Sequence, residues 1–152
     1  MPLFFVSGKP IYPLLIMGYL DDATIRWGRK GGAVGFIRNN GEENMIYENV
    51  AKNYSENLIA VSKNGKVGFL DKNGEVIIPF KFDIDASNRL PFKFSNGFGL
   101  VYLNKKYGFI NRKGETVIPF EYDAISSFDE GQAAGLKNGK WEEIIFPTEE
   151  DE

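Results

Sequence analysis

Apolar residues along this chain fall in short runs that alternate with polar ones and are broken at regular intervals by glycine, asparagine and proline. Leu58-Ile59-Ala60-Val61-Ser62, Lys66-Val67-Gly68-Phe69-Leu70 and Glu75-Val76-Ile77-Ile78-Pro79 each have the length of a strand. Asn64-Gly65 and Asn73-Gly74 separate them, and such dipeptides reach the positive φ that a tight hairpin needs. The pattern predicts an antiparallel three-stranded meander. No stretch keeps an apolar face at helical spacing, and the Gly, Asn and Pro interruptions leave little room for a long helix, so the expected fold class is all-β.

The meander recurs. Val67 to Asp83 matches Tyr107 to Asp123 position for position, a weaker copy runs from Val34-Gly35-Phe36-Ile37 through Asn40-Gly41-Glu42 to Ile46-Tyr47, and Gly8 to Leu14 matches Gly114 to Phe120. The turn glycines Gly8, Gly41, Gly74 and Gly114 lie 33, 33 and 40 residues apart. About four antiparallel three-stranded repeats are therefore expected. A unit this short cannot bury an apolar face alone, so the copies must pack on one another, as a solenoid or as a small closed propeller-like ring. Phe36, Phe69 and Phe109 follow the recurring glycine and are the expected equivalent core positions. Pro79 and Pro119 cannot donate a ladder hydrogen bond, which places them at the end of the third strand or on an edge. The chain begins partway through one unit and finishes partway through another. If those fragments pair, the ring closes and its free edge disappears.

The length fits a single domain able to bury about 68–70% of its unfolded surface. The division expected is one β-repeat domain over 1–146 and an acidic, disordered tail over 147–152. Eighteen basic against twenty-one acidic residues leave a net charge of −3, which provides no field for phosphate or an anionic membrane, so neither nucleic acid nor membrane is an expected partner. Met1 to Met17 has apolar clusters but no basic lead, and Pro2, Pro10 and Pro13 interrupt it. No signal peptide or span is expected, and the expected compartment is cytoplasmic.

The chain has no histidine and no cysteine, which removes the usual general bases, soft metal ligands and disulfides. The protein is expected not to be an enzyme and to have no catalytic residues, no cofactor and no metal. Ser62 and Lys63, as strand neighbours, point to opposite faces and cannot share a proton; both read as exposed strand-end residues. Asp71-Lys72-Asn73-Gly74 resembles part of a calcium loop, yet its sister turns Arg38-Asn39-Asn40-Gly41 and Asn111-Arg112-Lys113-Gly114 keep the glycine and lose the carboxylate, so turn geometry explains all three. Asp83 and Asp123 are placed to accept backbone N–H bonds at the next turn. Asp83-Ile84-Asp85 comes nearest to a paired-carboxylate site. Gly97-Phe98-Gly99 lacks the third glycine and the helix of a dinucleotide loop, and reads as the start of a strand.

The order of strand, Asn-Gly turn, aromatic-Gly-Phe-Ile, polar turn with Gly, then Val-Ile-Pro and Tyr-Asp resembles the WG-repeat family of bacterial proteins over nearly the whole chain. The family's Trp-Gly appears here as Val34-Gly35, Val67-Gly68, Tyr107-Gly108 and Trp141-Glu142, so no copy keeps both residues. Trp27-Gly28 aligns with Ala60-Val61 of the preceding strand and is a coincidence of spelling. The resemblance implies repeat-mediated interaction and carries no catalytic residues.

The expected function is a non-enzymatic binding module for a protein partner, such as a scaffold, an inhibitor or an immunity-type protein. The alternative is carbohydrate or cell-wall binding, motivated by seven Tyr and two Trp in a glycine-rich β repeat. Sugar stacking needs exposed rings, so the exposure of Trp27, Tyr54, Tyr102 and Tyr107 separates the two. One repeat carries about six extra residues between Asp83 and Phe94, and extra length in a regular array is where binding residues tend to sit. Arg89, Leu90 and Phe92 are the expected contacts there. Trp27, with Arg26, Arg29 and Lys30, forms a further basic and aromatic candidate, to be weighed against a solvated hairpin end.

Overall fold

The computed structural model describes residues 4–6, 9–11 and 14–16 as backbone, and residues 24–52, 54–85, 94–126, 128, 130 and 132–147 with their side chains. Every regular element among them is a strand. A small hairpin pairs β1 (Phe4–Val6) with β2 (Lys9–Ile11). Sheet I follows as β3 (Leu14–Ile16), β4 (Ile25–Lys30), β5 (Ala33–Arg38) and β6 (Glu43–Tyr47). Sheet II contains β7 (Asn49–Val50), β8 (Ile59–Lys63), β9 (Lys66–Leu70) and β10 (Val76–Asp83), and sheet III contains β11 (Phe94–Ser95), β12 (Phe98–Leu103), β13 (Lys106–Asn111) and β14 (Thr116–Tyr122). Sheet IV has β15 (Ala124–Ile125), β16 (Ala133–Lys137) and β17 (Lys140–Ile144). In each sheet the strands lie in chain order and all pairs are antiparallel. No helix among these residues is long and apolar enough to cross a membrane.

The expected three-stranded meanders are present in sheets I to III, and sheet IV shows the first two strands of one; each is preceded by a short edge strand that the sequence pattern did not reveal. The first hairpin of each unit turns on two residues. Asn64 and Gly65 have φ of 54° and 76°, Asn104 and Lys105 53° and 67°, and Asn138 and Gly139 54° and 78°, the left-handed pair that matches strand twist. The second turn differs from expectation, because in Asn73-Gly74 only the glycine takes a positive φ, 82°. Here Gly74 N–H bonds the Asp71 carbonyl at 3.2 Å and Asp71 N–H bonds the Glu75 carbonyl at 3.0 Å, which makes a longer turn with a glycine bulge. Asp71 Oδ1 accepts from the N–H groups of Asn73 and Glu75 at 2.8 and 3.0 Å, and Asn111 Oδ1 accepts from Lys113 and Glu115 at 2.9 and 3.0 Å. An uncharged amide fills the role of the carboxylate, so this is turn geometry.

The glycine in the middle strand has a steric cause. The register of β10 slips between Ile78 and Phe82, with Pro79 inside the slip on an edge strand, and the Ile78 carbonyl is carried over Gly68. A Cβ on Gly68 would stand 2.8 Å from that oxygen, and one on Gly108 would stand 2.8 Å from the Ile118 oxygen. In sheet I the Asn44 carbonyl crowds Gly35 in the same way. Phe36, Phe69 and Phe109 are all at most 1% exposed and occupy equivalent core positions, as the repeat predicts.

Successive sheets are sewn together by repeated contacts. Phe80 of sheet II stacks on Tyr47 of sheet I at 5.9 Å, and Phe120 of sheet III stacks on Phe82 of sheet II at 6.2 Å. Phe69 meets Phe94 edge-on at 5.1 Å, and Phe109 meets Phe128 at 4.8 Å. Polar contacts also bridge successive sheets, at positions that do not repeat. Arg38 Nη1 donates to the Asn73 carbonyl at 2.9 Å, and Arg112 pairs with Glu56 at 3.0 Å. The end-to-end pairing expected of a closed ring is not formed among the described residues: β17 pairs with β16 alone, and β1 and β2 pair only with each other.

Candidate functional site

Of the residues expected to make contacts, Arg89, Leu90 and Phe92 lie outside the described residues. Trp27 is placed, and its place corrects the expectation. It sits on β4 directly across from Phe36, is fully buried, and donates its indole N–H to the Tyr54 hydroxyl at 2.8 Å. The flanking Arg26 and Arg29 are exposed while the ring between them turns inward, so no aromatic surface accompanies the positive charge there. Lys30 bonds Glu43 at 3.0 Å. Tyr54, Tyr102 and Tyr107 are half-buried and engaged: the rings of Tyr102 and Tyr107 lie 4.6 Å apart, and Tyr107 donates to Asp85 Oδ2 at 3.0 Å. Burial, reinforced by that hydrogen bond to Asp85, pushes the Tyr107 hydroxyl up to about 12.

The acids also have structural employment. Asp83 bonds Lys66 and accepts the Asn104 N–H of the next sheet's turn at 3.0 Å, and the Lys66 bond, followed by the Asn104 N–H, holds its carboxyl below the usual range. Asp123 bonds Lys106 in the same way. Asp83 and Asp85 therefore face different partners, an ammonium and a phenol. Ser62 is buried, against the expectation of an exposed strand end, while Lys63 beside it is half-buried. Among the described residues no three acidic side chains group in a way that could hold a metal ion.

What distinguishes one place in the molecule is the last sheet. The hairpin turn Asn138-Gly139 aligns Lys140 with Lys66 and Lys106, Trp141 with Val34, Val67 and Tyr107, and Glu142 with Gly35, Gly68 and Gly108. In sheets I to III a third strand covers this row on its outer side. Among the described residues β17 has no such neighbour. Val34 and Val67 are fully buried, whereas Trp141 at the same position is 57% exposed. Lys66 and Lys106 each hold an aspartate of the third strand, whereas Lys140 is exposed with no carboxylate partner among the described residues. Glu142 stands where the other units require glycine. Its Oε1 accepts from the Tyr122 hydroxyl at 3.0 Å, and burial, with that bond second, raises the Tyr122 pKa. The signal for this site was in the sequence, since Trp141-Glu142 breaks the recurring Gly.

A family model described as WG containing repeat matches residues 35–66, 68–84 and 107–141, more than half of the chain. The chain belongs to the WG containing repeat family. No curated protein matches it. The WG dipeptide positions can now be read physically in this member of the family: the first residue is an inward position that the third strand covers, and the glycine is the gap through which that strand's bulge passes. In sheets I to III of this WG containing repeat protein the glycine stands where a third strand crosses; on β17, which has no such neighbour among the described residues, Glu142 stands in its place.

Proposed function

We propose that this WG containing repeat protein is a non-enzymatic protein-binding module that engages its partner through the outer edge of β17. The observation that carries the reading is Trp141, a large aromatic 57% exposed on a strand edge that is unpaired among the described residues, at a position buried in sheets I and II and half-buried in sheet III. Tryptophan is prominent among residues that dominate protein interfaces, and open strand edges present a row of unpaired backbone groups. The burial of Trp27 and the engagement of Tyr54, Tyr102 and Tyr107 weigh against the carbohydrate reading, which needs several free rings. The ends, which do not pair with each other among the described residues, favour an open array of repeats over a closed ring. The lack of His and Cys fits a non-catalytic role.

The test places a photoreactive residue at exposed Glu143, beside Trp141, in the purified chain and identifies what it crosslinks in an extract of the source cells, with a glycan array in parallel. A discrete protein adduct, competed by unmodified chain and lost in Trp141→Ala, is the expected result. Glycan binding lost in Trp141→Ala, without a protein adduct, would instead establish the carbohydrate reading.

A further inference from the structure

The sister sheets specify what the open edge of β17 accepts. In sheet II the partner strand sets Phe82 opposite Val67 and Asp83 opposite Lys66, and in sheet III it sets Tyr122 opposite Tyr107 while Asp123 bonds Lys106. Each time an antiparallel strand brings an aromatic against the first WG position and then an acid against the preceding lysine. Trp141 and Lys140 present the same two features with no such strand among the described residues. Glu143, exposed on the same face as Trp141, adds a negative charge one pleat along.

Glu142 excludes one class of occupant. In sheets II and III the third strand carries an Ile-Pro-Phe bulge whose carbonyl needs the space of a missing Cβ: at Gly68 and Gly108 that atom would stand only 2.8 Å from the carbonyl oxygen, closer than real Cβ contacts come, and in sheet I the Asn44 carbonyl crowds Gly35 likewise. Glu142 has that Cβ, and Tyr122, whose ring lies over Gly135 across the hairpin, anchors its carboxylate. A bulged third strand, whether from a second copy or from another repeat of this kind, cannot seat here.

We infer that the edge of β17 is a strand-addition site for a flat, unbulged segment of a partner protein. That segment runs antiparallel to β17, with an acidic residue opposite Lys140, an aromatic opposite Trp141 and a basic residue opposite Glu143. Backbone hydrogen bonds supply the addition and the alternate side chains the selection. Glu142 serves as the selectivity element: it leaves the edge open to partners while closing it to self-propagation of the array.

This rests on the reading of the chain as a protein-binding module, and peptides test it separately. The probes are acetyl-Thr-Val-Lys-Thr-Tyr-Asp-amide, which is flat, and a capped peptide copying Thr116 to Asp123, which carries the bulge. The flat peptide should bind the full chain roughly tenfold or more tightly than the bulged one, and should slow hydrogen exchange at β17 amides. Trp141→Ala should weaken it by roughly tenfold or more. Lys140→Glu should weaken it by about fivefold, and a peptide ending in Lys should recover that loss. Glu142→Gly should admit the bulged peptide and erase the preference. No binding of the flat peptide at millimolar concentration, or equal binding of both by the unaltered chain, overturns the inference. A protein adduct at position 143 with failed peptides would leave the module reading standing and this one rejected.

Discussion

Gly74 lies against the ring of Phe36, so that a Cβ built on this glycine would stand 2.8 Å from the ring's Cζ. The turn of sheet II therefore lids the core of sheet I, and Gly114 bears on Ile78 of sheet II in the same way, at 3.3 Å. Gly41 has the same left-handed φ, 88° against 82°, but open space around it. Replacing Gly41 by Ala should cost about 1–2 kcal/mol from backbone strain alone. Gly74→Ala should cost about 1–3 kcal/mol more, from overpacking against Phe36. Urea denaturation of both variants measures the difference, and equal losses would show that the lid is not tight.

Phe109→Ala should destabilise by about 3–5 kcal/mol, since the ring is fully buried against Phe128 and Phe146. A melting temperature unchanged in this variant would mean that the middle-strand register is wrong.

The Gly108→Ala variant should lose more stability than Val117→Ala, although it adds only a methyl. The added Cβ meets the backbone of Ile118 as well as the Phe120 ring, and backbone cannot swing aside as a side-chain tip can. The expected signature is faster hydrogen exchange along β14 with β12 little affected.

Tyr107 should titrate near 12, above an ordinary phenol, mainly through burial and then through its bond to Asp85. The folded state holds this proton more tightly than the unfolded one. Its contribution is thus fully present below pH 10, the ordinary value, and is lost as pH rises through about 12. In Asp85→Asn the Tyr107 transition should move down without reaching 10, because burial persists; ultraviolet difference titration reads it. Asp83 works in the opposite sense. Its depressed carboxyl stabilises the fold above the ordinary carboxylate range and ceases to do so as pH falls through the lowered pKa. Asp83→Asn should therefore flatten the acid limb of the stability curve, read by urea denaturation across the acid range.

Much of the fold was legible because its devices are local. Asn64-Gly65 and Gly74 announce turns by the φ they reach, and Phe69 and Phe109 announce a core by following the same glycine. The two-residue strands Asn49–Val50 and Ala124–Ile125 are too short to show alternation, and they pair only because the preceding third strand delivers them to the next sheet. Asn73 misled because an Asn-Gly pair serves two turn types, and the bonds made by Asp71 decide between them. Trp27 misled because its neighbours Arg26 and Arg29 are charged, while its partner across the hairpin, Phe36, is the better guide to burial. The open edge was legible only as the break of the recurring Gly at Trp141-Glu142; exposure at Trp141 depends on a third strand that β17 lacks among the described residues, which no spacing within the motif encodes.

Each copy thus carries the lid for the one before it and leaves its own core to be closed by the one after. A duplication of any internal unit inherits both halves of a ready-made joint, the bulge glycine on one side and the waiting Phe36 or Ile78 on the other. Arrays of this kind can lengthen in evolution without inventing a new interface.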